Sequence, residues 1–75
     1  MRKLRLSPIQ RDILWMLEEA GKENLLCIRE TLHYAESELN AAVLDLKRLG
    51  FVIDDVEGSL PALSLTKAGL TAIRT

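Results

Sequence analysis

Residues 35–52 read AESELNAAVLDLKRLGFV, and their reading decides the fold. Leu39, Ala42, Val43, Leu46 and Leu49 recur at steps of three and four, the spacing that aligns side chains on one face of an α-helix. Gly50 follows where helices commonly leave through a left-handed residue. Phe51, Val52 and Ile53 then open a run of strand formers. The stretch predicts a helix over residues 36–49, apolar along one side, that hands the chain to a strand.

The flanking sequence builds outward from that helix. On its N-terminal side, SPIQRDILWMLEEAG (residues 7–21) carries Ser7 as a cap, Pro8 at the first helical position and Gly21 at the exit. Ile9, Ile13, Met16, Leu17 and Ala20 share one face of this helix. Trp15 lies roughly 140° from the centre of that stripe, and Leu14 is also tilted away from it. NLLCIRETLH (residues 24–33) predicts a short second helix capped by Asn24, with Leu25, Ile28 and Leu32 on one face and a brief extended stretch at Leu25–Leu26 before it. Tyr34 and Ala35 form a tight link to the third helix. On the C-terminal side the apolar period changes from helical to alternating. FVIDD and ALSLT predict two strands of a hairpin around EGSLP, and TKAGLTAIR predicts a short last helix capped by Thr66.

A chain of 75 residues with 48% hydrophobic content and three aromatics has room for one domain, with a core built mostly of Leu, Ile, Val and Ala. The expectation is a single domain over residues 1–75. One cysteine, Cys27, excludes an internal disulfide and favours a reducing compartment. The basic start MRKLRL is not followed by the apolar run of a signal peptide, and ILWML is far too short to span a bilayer. A soluble, cytoplasmic protein with no membrane partner is expected.

Net charge is −1, but it is unevenly placed. Arg2, Lys3 and Arg5 at the start and Lys67 and Arg74 at the end are positive. Residues 7–61 hold five cations against all eleven carboxylates, a net of −6.

The order of elements, together with LDLKRLGFV and LSLTKAGLTAI, resembles the winged helix-turn-helix domain of MarR- and PadR-like transcriptional regulators. The first motif is similar to the family's leucine, charged residues, glycine and strand start. The second is similar to its strand ending in Leu-Thr-x-x-Gly. The resemblance covers roughly residues 7–74. It implies a mostly α, α+β fold: a three-helix bundle, a two-stranded β-hairpin wing and a short C-terminal helix. It also implies that the third helix enters the major groove of double-stranded DNA. Carried over, the outward face is Ser37, Ala41, Leu44 and Arg48, flanked by Asn40 and Lys47. Asn40 suits an adenine edge, Ser37 several bases and Ala41 a thymine methyl. Lys47 and Arg48, with Arg29 on the second helix, suit phosphates.

Two departures from the family pattern support an alternative. Asp54, Asp55 and Glu57 make the wing acidic, with no Lys or Arg between residues 49 and 66, and Ala35 stands where a capping Ser or Thr is common. The alternative is a winged helix used as a protein–protein interaction module with an acidic face. Trp15 is read either as completing the monomer core or, together with Leu14, as an apolar patch for a homodimer or protein partner.

Nothing predicts chemistry. Cys27 and His33, the only soft metal ligands, point about 120° apart on one helix and fall short of a zinc ligand set. Asp54 and Asp55 are adjacent in a strand and face opposite ways. No phosphate loop, nucleophile elbow or triad order is present. A non-enzyme without metal, cofactor or small-molecule substrate is expected.

Overall fold

The computed structural model describes residues 5–74. The elements run α1 (Pro8–Ala20), β1 (Lys22–Asn24), α2 (Leu25–Leu32), α3 (Glu36–Arg48), β2 (Val52–Glu57), β3 (Leu60–Leu65) and α4 (Lys67–Arg74). Arg2 and Lys3 of the basic start lie outside the described residues; Arg5 is exposed.

Helix α1 is closed by a reciprocal cap. The Gln10 amide N–H donates to Ser7 Oγ at 3.2 Å, and the Ser7 N–H donates to Gln10 Oε1 at 3.0 Å. Gly21 ends it with φ +81°, its N–H bonded to the Leu17 carbonyl. The helix touches α2, α3, α4, β1 and β3. A helix so surrounded buries a wide arc, not a narrow stripe. Ile13, Leu14 and Leu17 are completely buried, while Ile9 and Met16 pack at the margin. This corrects the expected exposed patch: Leu14 is core, because α1 has neighbours on both sides of the Ile13–Leu17 line. Ala20, expected inside, is exposed.

Asn24 caps α2, its Oδ1 accepting from the Cys27 N–H at 2.7 Å. His33 closes the helix in the left-handed region (φ 58°), and the turn to α3 is tied to α1 by the Tyr34 hydroxyl, which donates to Asp12 Oδ2 at 2.8 Å. Leu39, Ala42, Val43 and Leu46 of α3 face the core, as their spacing predicts. Leu49, expected with them, caps the helix and stays 44% exposed.

The wing is a two-residue hairpin. Gly58 has φ +64°, and Gly-Ser is a favoured pair for a turn matching the strand twist. Here the structure adds to the expected two-stranded wing, because β1 pairs antiparallel with β3 and makes a three-stranded sheet of order β1-β3-β2. Asn24, the last β1 residue, pairs with Ala62, so Pro61 lies where β3 has no β1 partner to donate to.

The C-terminal motif is explained by contact. Thr66 Oγ1 donates to the Gly50 carbonyl at 2.6 Å and accepts the Gly69 N–H at 3.0 Å, and the Thr66 N–H donates to the Phe51 carbonyl. Gly69 lies so close to Phe51 that a β-carbon there would collide with its carbonyl oxygen. Thr66 and Gly69 thus clamp α4 onto the turn that leaves α3. One core cluster joins Ile13, Leu14 and Leu17 to Ile28, Leu46, Val52 and Leu63. Each such side chain contributes about 1.5–3 kcal/mol on burial. Among the described residues, no helix is long and apolar enough to cross a membrane.

Candidate nucleic-acid interface

The helix that decides the fold also presents the candidate site. With Leu39, Ala42, Val43 and Leu46 inside, the 3.6-residue repeat leaves Ser37, Asn40, Ala41, Leu44 and Arg48 on the outer side, and all five are exposed. No side chain caps α3 at Ala35. Glu36 and Glu38 in its first turn and Lys47 and Arg48 in its last complement the helix dipole instead. The acidic start of α3 therefore has a structural cause, independent of any partner. Between α2 and α3 runs a cleft of about 220 Å³, floored by Leu25, Ile28, Leu39 and Val43, with half-exposed Leu26, Asn40, Arg29 and Glu36 also lining it.

Two of the three cations expected to meet phosphates are already engaged. Arg29 Nη1 lies 3.1 Å from Glu36 Oε2, bridging α2 to the start of α3. Lys47 Nζ lies 2.6 Å from Asp54 Oδ1, bridging the end of α3 to the wing. Arg48 has no ion-pair partner among the described residues.

The acidic wing is built into the fold carboxylate by carboxylate. Asp54 holds Lys47. Asp55 accepts from the Ser64 hydroxyl across the strand pair and from the Val56 N–H at 2.7 Å. The Ser64 hydrogen bond, more than any other influence, holds its carboxyl below the usual range. Glu57 Oε1 accepts from Asn24 Nδ2 at 2.7 Å, tying the wing to the residue that caps α2. As strand alternation predicts, Asp54 and Asp55 face opposite ways: Asp54 pairs with core residue Leu63, and Asp55 with Ala62 on the other face. These tethers join residues up to 33 positions apart, and the only sequence signal for them was the unexplained run of acids itself.

Trp15 is 49% exposed on the outside of α1, and the Arg11 guanidinium carbon stands 5.8 Å from its ring centroid. It does not complete the monomer core, and Leu14 beside it does not reach the surface. Arg74 is held by Glu18 at 3.2 Å. Cys27 is half-buried with Sγ 3.9 Å from Thr31 Oγ1, and His33 serves as the left-handed end of α2.

No protein-family model matches the chain, and no curated protein is significantly similar to it. Solved structures are similar in shape. A variant of ZitR from Lactococcus lactis superposes with a TM-score of 0.84 at 18% identity, over 99% of this chain and 52% of its own. YusO from Bacillus subtilis does so with a TM-score of 0.83 at 19% identity, over 92% of this chain and 51% of its own. A MarR-family transcriptional regulator from Silicibacter pomeroyi gives 0.82 at 21% identity, over 92% and 48%. The chain spans about half the length of these structures. The architecture expected from residues 35–52 and the Leu-Thr-x-x-Gly motif is present, and the chain has the winged helix-turn-helix fold of MarR-like regulators.

Proposed function

We propose that the chain is the DNA-binding part of a small, non-catalytic transcriptional regulator, acting in the cytoplasm as one winged helix domain over residues 1–75. The observation that carries this reading is the outer side of α3, where Ser37, Asn40, Ala41, Leu44 and Arg48 are exposed together on a helix whose other side is anchored in the core. Similarity in fold to a solved transcriptional regulator supports it. In this reading α3 lies in the major groove. Asn40 and Ser37 meet base edges, Ala41 and Leu44 meet thymine methyls, and Arg48, Lys47 and Arg29 meet phosphates. Half-exposed Trp15 gives α1 an apolar contact for a homodimer, which would present two α3 helices to two half-sites. No cofactor or small-molecule substrate enters the reading.

The test is fluorescence anisotropy on a selected duplex and on unrelated duplexes. Asn40→Ala should cost about 1–3 kcal/mol on the selected duplex and relax specificity at one position. Arg48→Ala should weaken all duplexes alike and lower the salt slope by about one. Variants indistinguishable from wild type on every duplex would refute the reading.

A second reading, an acidic protein-interaction module, is favoured by the wing, which offers no Lys or Arg between residues 49 and 66. Against it, Asp54, Asp55 and Glu57 each hold a group of the chain itself. If a basic partner protein is bound, charge reversal at Asp54 and Asp55 should abolish its capture and leave duplex binding negligible throughout.

A further inference from the structure

The two ion pairs on the α3 surface are placed with a regularity that dipole compensation does not require. One joins α3 to α2 at the start of the helix, Arg29 to Glu36, and the other joins α3 to the wing at its end, Lys47 to Asp54. Each takes a cation flanking the exposed Ser37–Arg48 face and gives it a carboxylate from a neighbouring element. A carboxylate at 2.6–3.1 Å from an ammonium or guanidinium group occupies the place a phosphate oxygen would take.

We propose that Glu36 and Asp54 act as internal stand-ins for two DNA phosphates, suppress sequence-independent binding, and so are specificity-determining residues of the α3 surface. The inference rests on the DNA-binding reading and deepens it. Phosphate contacts supply most non-specific affinity and carry no sequence information. A duplex must compete with both carboxylates for the full charge of Arg29 and Lys47. The carboxylates are solvent-exposed, with Glu36 and Asp54 side chains 67% and 75% accessible, so each pair is weak enough to be exchanged. A site whose bases fit Asn40 and Ser37 supplies the energy for that exchange, and a random site does not. Arg48, without such a partner among the described residues, is the cation always ready for a phosphate.

The experiment measures anisotropy of the full chain with a labelled, arbitrary 20-base-pair duplex between about 50 and 200 mM salt. The proteins are wild type and the double variant Glu36→Gln, Asp54→Asn, both changes being close in shape and neutral. Freeing two cations should add two phosphate contacts. At about 0.9 per contact the log–log salt slope steepens by roughly 1.8, so the double variant loses roughly twelvefold more affinity than wild type over that fourfold salt range. It should bind the arbitrary duplex more tightly at the low end. Each gain should vanish when its cation is absent: Glu36→Gln in an Arg29→Ala background, and Asp54→Asn in a Lys47→Ala background. That cancellation separates release of a particular cation from a change in net charge.

Wild-type binding with an unchanged slope in the double variant would overturn the proposal and leave the DNA-binding reading standing. Gains that persist without Arg29 and Lys47 would also overturn it, since the carboxylates would then act only by general repulsion. No binding by either protein at about 50 mM would remove the DNA-binding reading, and the proposal with it.

Discussion

Replacing Gly69 by alanine sets two effects of known sign against each other. In an exposed helix the change is favourable, by up to about 1 kcal/mol, because glycine loses more backbone freedom on folding. Gly69 is not exposed: it is the buried residue of α4. A β-carbon there would overlap the Phe51 carbonyl oxygen, stand 2.8 Å from Leu65 Cδ1 and 3.0 Å from the Phe51 carbonyl carbon. Relieving the Leu65 contact alone needs a shift of about 0.7 Å, to the usual separation near 3.5 Å. Leu65 can rotate, but the Phe51 backbone cannot, because its oxygen accepts the Thr66 N–H at 3.0 Å. The helix must therefore lift, straining the Thr66 bonds to Gly50 and Gly69. Overpacking of this kind costs about 1–3 kcal/mol or more, and the backbone contact puts this site at the upper end. Net destabilisation of about 2 kcal/mol should lower the melting temperature of a chain this small by roughly 8–16 °C. Thermal unfolding followed by circular dichroism measures it. A melting temperature equal to or above wild type would refute the clamp as the reason for glycine in the motif.

Leu14→Ala should cost about 2–5 kcal/mol as a fully buried truncation, whereas Trp15→Ala, at a half-exposed position, should cost about 1 kcal/mol or less. Urea denaturation giving the reverse order would contradict the burial of Leu14. Asn24→Ala removes the α2 cap and the bond to Glu57 together and should cost about 1.5–3 kcal/mol. Asn24→Asp, which keeps the cap but sets a carboxylate against Glu57, should leave α2 intact while loosening the wing in amide exchange. Tyr34 is the one tyrosine, and its hydrogen bond to Asp12 raises its pKa. The stabilisation is therefore complete below the unfolded value near 10 and is lost as pH rises through the higher folded value. Absorbance titration should show ionisation later than in a tyrosine peptide, reverting toward normal in Asp12→Asn. Asp55 has the opposite sign. Its lowered pKa gives stability above the usual carboxylate range that is lost as pH falls through the folded value, and Ser64→Ala should flatten that acid limb.

Much of this architecture was legible in the sequence because it rests on local rules. Ser7 and Gln10, Asn24, Gly21 and Thr66 act within three or four residues of themselves, and the period of Leu39–Leu46 is a local signal. What was missed depends on distant pairing. Strand β1 is three polar residues, Lys22–Asn24, with no period to read, and it exists because β3 offers an edge some forty residues away. Leu14 was misplaced because a helical wheel assumes one covered face, and α1 is covered on several sides. At the site, the outward residues of α3 followed from its period. The engagement of Arg29, Lys47 and the wing carboxylates did not, since it depends on which elements meet in space.

The central claim, that the outer face of α3 meets DNA, is tested most directly by an NMR titration of isotope-labelled protein with a 20-base-pair duplex at about 50 and then 200 mM salt. Amide shifts should cluster at Ser37, Asn40, Ala41, Leu44 and Arg48, all weakening at the higher salt. A spectrum unmoved at the lower salt, or moved only on α1 and α4, would contradict it.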